Sequence, residues 1–571
     1  MLPPLVVRAI NHARREYLPT YLGLRLLFDG RDKQGSNEWA ADFVNLQAAN
    51  GRNLPYFRYQ ILKGLEKHEV KYRDCFAPSP SALLAEIYTL FLMSKSPSFE
   101  VPTSAYSYRW PSDRYNAGNP FEFFMTGYER RKKAISRSLS MSRDHVAVIT
   151  DIKAFYPSCD SGDLLRRMEN RLASSSLTEG EQDVVRWCSE NLLSQPGYTG
   201  IPIGTALGHT FGHIALEDVD RSLIGMFGEN YFRYVDDITI VVPAAQANEA
   251  ESIVRREVEK CGYQINKEKT EVVSVSNWND PSFEENRETS FSALRHMILI
   301  FLALRPQQFP TLKQALRGAG YALPLDQFKR VAEYSRFRAA IRRFELFFKF
   351  GLTEVPDVQG ILLQASRVRR KIQDDYERLS GETSAMHGSQ RKWFVQKVKW
   401  NLNRLIYLSD KASLSRILPT IPDYEELDQI RAVVADVSAS EISKVVEFPG
   451  PTVNAFSQLW QFHENEPQPE HRYLRSVHRD AAAILGLWGV TKIPTHLVEA
   501  EETIDNNLLL KFCYSQSPTV RELRNQSYID ELRTLQIGRT EADIQRLMAS
   551  RYDDLEFILL DGLMIGMGNY S

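Results

Sequence analysis

The chain of 571 residues has little cysteine: five in all, at Cys75, Cys159, Cys188, Cys261 and Cys513, widely spaced and never as a Cys-x-x-Cys pair. That excludes a zinc ribbon and a disulfide framework, and it fits reduced, mostly structural thiols. Long apolar runs are also missing. The longest uninterrupted one, Met297 to Leu304, has eight residues, whereas a membrane-crossing helix needs about 20. The opening MLPPLVVRAI holds two prolines and no apolar core of signal-peptide length, so no secretion signal is expected. Neither charge sign is in excess: 70 Lys and Arg stand against 72 Asp and Glu, a net charge of −2. A nucleic-acid partner would therefore need basic residues gathered on one surface. These absences point to a soluble, cytoplasmic protein. What is present is a 43% hydrophobic, 11% aromatic and 25% charged composition, which supports large buried cores and excludes disorder, fibrous repeats and a coiled-coil rod. At about 150 residues per domain, the length predicts two to four domains.

Three regions differ in texture. Residues 1–143 read as a mostly helical block, with breaks near Gly35 and Asn50-Gly51 and a Pro/Ser cluster, Ala77 to Ser81, that caps the helix ALLAEIYTLFLM. Between residues 106 and 143, aromatics such as Tyr106, Tyr108, Trp110, Phe121 and Tyr128 alternate with eight Lys or Arg and only three Asp or Glu. Aromatics among cations suit stacking on bases and neutralising phosphates; a solvated basic helix beside an ordinary aromatic core explains the segment as well. Residues 144–285 are mixed α and β. HVAVIT (145–150) reads as a buried strand, while YFRYV (231–235) and ITIVV (238–242) have hairpin spacing around Asp236-Asp237, with helices over 181–193 and 205–227. Residues 286–571 turn helical, with faces such as Phe394, Val398, Leu402 and Leu405 that suggest stacked helical pairs without a fixed repeat. The predicted class is α+β followed by a large all-α domain.

The chemistry centres on Asp151, directly after HVAVIT, and on Asp236 and Asp237 at the hairpin. If both strand units share a sheet, three carboxylates converge. Such hard oxygen ligands select Mg²⁺ or Mn²⁺, and two of these ions serve in-line nucleotidyl transfer. A second Asp-Asp pair, Asp553-Asp554, lies in a helix-like stretch and reads as surface and core. His209 and His213, at i and i+4, read as packing residues, because a metalloprotease helix needs Glu where Thr210 stands.

The ordered set DIKAFYPS (151–158), GIPIGTALG (200–208), YVDD (234–237) and Asn266-x-x-Lys269-Thr270 resembles motifs A to D of a reverse-transcriptase palm. The resemblance implies metal binding by Asp151, Asp236, Asp237 and the Ile152 carbonyl. It implies Lys269 as a general acid for departing pyrophosphate, and Tyr156, beside Phe155, as a ring that clashes with a ribose 2′-hydroxyl and so favours dNTPs. Gly204 would allow close approach of a nucleotide, and Arg109 and Arg114 would grip the triphosphate. The sequence departs from the family in motif B, where Ile203 replaces the usual glutamine, and it shows no clear primer-grip hairpin, RNase H or maturase segment.

Across its whole length the chain resembles the bacterial abortive-infection reverse transcriptases of the AbiK and AbiA type, through the block ending YRDCFAPSPSALLAEIYTLFL, the form DIKAFYPS and the helical carboxy-terminal half. The resemblance implies antiphage defence, template-independent and protein-primed synthesis of single-stranded DNA that stays attached, HEAT-like helical repeats and homo-oligomers. No priming residue is singled out among the tyrosines, Tyr17 and Tyr21 included. Two alternatives stay open: a template-copying polymerase of a retroelement or retron, and an inactive palm used as a binding scaffold. The basic runs at Arg367 to Lys371 and Arg391-Lys392 suit either a bound DNA product or solvated helix faces.

Overall fold

The computed structural model describes residues 4–16, 18–28, 32–66, 69–267, 270–278, 289–321, 323, 325, 356–381 and 388–424, and then 427, 430, 431, 434, 528, 531, 532, 535, 540, 543 and 547. These residues are mostly helical, with two antiparallel sheets.

The amino-terminal block contains α1 (Leu5–Glu16), α2 (Leu18–Phe28) and α3 (Lys33–Ala49), but two long strands after them correct the expectation of a helical block. Strands β1 (Tyr56–Glu66) and β2 (Glu69–Pro78) form a hairpin, with a register shift between Leu62 and Gly64. The run Phe57-Arg58-Tyr59-Gln60-Ile61 alternates with period two, which favours a strand over a helix. A lone two-stranded ribbon is marginal. Here Arg58 pairs with Asp74 at 2.8 Å, and the Phe76 amide donates to the Ile203 carbonyl at 2.7 Å. Helix α4 (Pro80–Ser94) starts with Ser79 as its cap, the hydroxyl accepting from the Ala82 amide at 3.2 Å, and Pro80 at its first position. Apart from Ser81 its residues are buried, as suits a helix apolar on every side.

Helix α5 (Phe124–Ser140) precedes the second sheet, β3 (His145–Asp151), β4 (Tyr231–Tyr234), β5 (Asp237–Pro243) and β6 (Glu271–Ser274), in the order β4-β5-β3-β6. Both faces are covered. Ile135 and Leu139 of α5 pack on Ala147, Phe232 and Val241, while α11 (Ala247–Lys260) packs against β3 and β5 on the main core. That explains why HVAVIT and ITIVV are continuously apolar rather than alternating. Between β3 and β4 lie α6 (Phe155–Ser158), α7 (Ser161–Ala173), α8 (Glu179–Leu193), α9 (Gly208–Ala215) and α10 (Glu217–Phe227). The single helix expected over 205–227 is thus two, broken at Leu216.

Short α12 (Val275–Trp278) follows β6, and the described carboxy-terminal helices are α13 (Thr289–Leu304), α14 (Phe309–Gly318), α15 (Val358–Ser380), α16 (Gly388–Leu408) and α17 (Lys411–Ile417). Helix α15 packs against α13, α14 and α16. The face Phe394, Val398, Leu402 and Leu405 is fully buried, whereas Arg367, Arg370 and Lys371 of α15 face solvent. Asp553-Asp554 and Cys513 lie outside the described residues. Farther along, Tyr528 stacks on Phe57 at 5.3 Å with its hydroxyl 3.1 Å from that of Thr20, and the Glu531 carboxylate accepts from the Ser81 amide and hydroxyl at 2.6 Å each. No helix among the described residues is long and apolar enough to cross a membrane.

Candidate active site

The antiparallel register sets the carboxylates. Asp151, last in β3, lies directly opposite Asp237, first in β5. Opposed residues share a sheet face, with Cβ atoms about 5 Å apart. Tyr234 pairs with Asp237, so the hairpin turn is Val235-Asp236, and Asp237 belongs to the ladder rather than to the turn. Carboxylate oxygens of Asp151, Asp236 and Asp237 come within 4.8 Å of one another. Asp151 and Asp236 are 5% and 1% exposed, and Asp237 is half-buried. Like charges so placed repel. With oxygen donors and no His or Cys among them, the set fits a hard divalent cation. Among the described residues it is the one cluster of this kind.

Motif D supports this edge. The Asn266 amide donates to the Asp151 carbonyl and the Lys153 amide to the Gln264 carbonyl, both at 2.7 Å; Ile152 bridges to Ile265, and the hydroxyls of Thr150 and Thr270 are 3.0 Å apart. Ile152 has a buried side chain, and its carbonyl follows Asp151 at the strand end. Lys269 lies outside the described residues.

Tyr156 is buried, its hydroxyl 3.3 Å from His209 Nδ1. Burial, together with the nearby charge of Asp236, pushes its phenol pKa up. Phe155, by contrast, is a core residue, fully buried and edge-on to Tyr263 at 5.5 Å, so it does not line a nucleotide site. Gly204 departs from expectation too. At φ +94° its missing Cβ would stand 2.9 Å from the Phe76 carbonyl oxygen; the close approach it permits is to strand β2.

The structure redistributes the basic residues. Arg114 does not reach the carboxylates: it donates to the Ser94 carbonyl at the end of α4 and pairs with Glu100. Arg109 is half-buried, with its charge near Tyr106. Arg131, in the basic run of α5, turns inward to Thr239 Oγ1 at 2.7 Å and the Asp237 carbonyl at 3.2 Å. The residue missed from sequence is Arg73 on β2. Burial lowers its guanidinium pKa, while nearby Cys75, Asp236 and Asp151 oppose that shift, so a cation from the first hairpin lies within electrostatic reach of the carboxylates.

Among the described residues, three that are not glycine have left-handed backbone: Tyr108 (φ 44°), Ala154 (φ 49°), three positions after Asp151, and Val235 (φ 55°), directly before Asp236. For a β-branched residue this conformation costs about 1–2 kcal/mol and persists only where neighbours enforce it. His209 stacks on Tyr108 at 3.5 Å, and His213 bonds to the Ser107 carbonyl and Arg233. Burial holds both imidazoles neutral. They are packing and hydrogen-bonding residues, as their pattern predicts.

A family model described as "Reverse transcriptase (RNA-dependent DNA polymerase)" matches residues 112–298, from before α5 into α13. No curated protein matches the chain. The chain carries a reverse-transcriptase domain, whose substrates are nucleotides and nucleic acid, and it is a nucleotidyltransferase of the RNA-directed DNA polymerase type.

Proposed function

We propose that this chain polymerises dNTPs into single-stranded DNA at the Asp151, Asp236 and Asp237 centre, without copying a template and starting from one of its own hydroxyls, as part of a bacterial defence against phage. The observation that carries the polymerase reading is the ladder that sets Asp151 opposite Asp237 with Asp236 within 4.8 Å. Magnesium or manganese ions, two in this reading, supply there the acidification of the attacking hydroxyl and the neutralisation of leaving pyrophosphate. The three carboxylates and the Ile152 carbonyl hold them. Arg73 binds the triphosphate, in place of Arg114. The Tyr156 ring, backed by Phe155, excludes a ribose 2′-hydroxyl, and Lys269 gives a proton to pyrophosphate.

Motif B supports template independence. Ile203, where the family has a polar residue, is buried, with its carbonyl bonded to Phe76, so no polar side chain stands there to order a template base. Tyr21 is buried and accepts from Arg25 at 3.1 Å, which disfavours it as the primer; Tyr17 lies outside the described residues. The defence role, stacked HEAT-like helices, homo-oligomers and attached product follow from the likeness to the abortive-infection group.

The test is incubation of purified protein with labelled dNTPs and Mg²⁺ or Mn²⁺ alone. The expected result is label that stays with the protein on denaturing gels, is released by nuclease, and is absent from Asp236→Asn. Incorporation only when template RNA and primer are added would replace this reading with a template-copying one. No incorporation under either condition would leave a binding scaffold.

A further inference from the structure

We propose that Asp220, Arg233, His213 and Ser107 are positioning residues that fix the direction of Asp236, and so set how tightly the carboxylate cluster holds divalent ions. The inference rests on reading that cluster as the polymerase centre.

Val235, the residue before Asp236, has left-handed backbone without being glycine, so its conformation must be imposed from outside. Both of its backbone polar groups are held by buried side chains. Its amide donates to Ser107 Oγ at 2.9 Å, and its carbonyl accepts from the Arg233 guanidinium at 2.9 Å. Ser107 and Arg233 are each fully buried.

These two holders are themselves fixed. Arg233 makes a two-point contact with Asp220, at 2.7 and 2.5 Å, and Tyr231 donates its hydroxyl to the same carboxylate at 2.5 Å. Arg233 also donates to His213 Nδ1 at 3.2 Å, which leaves the Nε2 hydrogen of the neutral ring to bond the Ser107 carbonyl at 3.1 Å. The chain is closed: Asp220 orients Arg233, Arg233 sets the tautomer of His213, and His213 anchors the residue whose hydroxyl holds Val235. Segment 104–107 runs beside β4, with the Arg233 amide on the Ser104 carbonyl and the Tyr106 amide on the Arg233 carbonyl, each at 2.9 Å. A planar fork is needed at position 233, because one guanidinium serves a carboxylate, a carbonyl and an imidazole at once. None of these groups touches the reacting atoms; they act through the turn. Partners behind a metal ligand typically govern about 10–100-fold in metal affinity.

The experiment is Mn²⁺ binding to the full chain, followed by electron paramagnetic resonance, for the wild type, Asp236→Asn, Ser107→Ala and Ser107→Ala/Val235→Gly. Ser107→Ala is expected to weaken Mn²⁺ binding about 10-fold. Adding Val235→Gly is expected to restore it to within about threefold of the wild type, since glycine adopts positive φ unaided. A purely packing role for Ser107 would lower Tm without moving the Mn²⁺ curve. A Ser107→Ala curve that superimposes on the wild type, or a double variant no tighter than Ser107→Ala, overturns the inference. If Ser107→Ala does not fold, Ser107→Cys, which keeps a weak acceptor of similar size, replaces it with a smaller weakening in the same direction, and an unmoved curve overturns the inference equally. A wild type that binds no Mn²⁺, or an Asp236→Asn chain that binds it as the wild type does, removes the polymerase-centre reading itself.

Discussion

Among the described residues, two hairpins are held in place by opposite means. The β4–β5 hairpin is short, inside a four-stranded sheet covered on both faces, and its turn is bound by Ser107 and Arg233. The β1–β2 hairpin has strands of 11 and 10 residues in a sheet of its own, and meets the rest of the chain near its base through Phe76, Phe57 and Arg58. The first carries acids whose spacing must suit metal coordination within tenths of an ångström. The second carries Arg73, whose proposed contact with a diffuse phosphate charge would tolerate looser placement. Backbone restraint is concentrated where the chemistry demands geometry.

The largest expected effect comes from the restrained hairpin. Asp236→Asn should lower dNTP incorporation by at least about 1,000-fold, measured with labelled nucleotide, because a cluster with one anion fewer loses both a ligand and its field. Next, Arg233→Ala should destabilise the fold by about 3–5 kcal/mol in denaturant titration, since it leaves Asp220 buried and unpaired. A smaller effect concerns Glu86 on α4, which accepts from the Leu207 amide at 2.9 Å and joins the block beneath β1–β2 to motif B. Burial pushes its carboxyl up from 4.5 to about 7. The folded chain therefore binds more protons than the unfolded one between those values, and stability falls as pH rises across that window, by at most about 3 kcal/mol. Glu86→Gln should flatten that segment of a stability-versus-pH curve and stabilise the fold at pH 8. For the looser hairpin, Arg73→Ala should raise KM for dNTP about 10-fold with a lesser change in kcat, as expected for one charge-assisted contact. Equal losses in kcat and kcat/KM would instead place Arg73 in the transition state and erase the contrast between the hairpins. Smallest, Tyr528→Phe should cost about 1 kcal/mol by removing the bond to Thr20.

Legibility in the sequence followed locality. The strand before Asp151, the YVDD hairpin, the cap at Ser79 and the buried face of α16 rest on neighbouring residues, and each was readable from pattern. The register opposing Asp151 to Asp237 needs the two strands to pair in one particular alignment, which neither strand fixes by itself. Arg73, Ser107 and Arg233 were not legible, because their roles come from contacts across long separations; Ser107 meets Val235 over 128 residues. Arg114 shows the converse: a basic residue read as a triphosphate ligand is committed to the Ser94 carbonyl and Glu100, and Arg131, in a run that a solvated helix explained as well, turns inward to a buried hydroxyl. The β1–β2 hairpin did leave a signal, the alternation from Phe57 to Ile61, but the Lys, Arg and Glu interspersed through both strands also suit an exposed helix.

The contact of Glu531 with the first turn of α4 spans 450 residues, and this has a consequence for biosynthesis. At about 5–20 residues per second, a ribosome needs roughly 20–90 seconds to travel from one partner to the other. Throughout that interval the start of α4 and the Phe57 side chain wait without the residues that cover them. The nascent polypeptide thus covers this part of α4 and the first hairpin only once residues 528 and 531 have been added, and chains broken before them would lack that clasp.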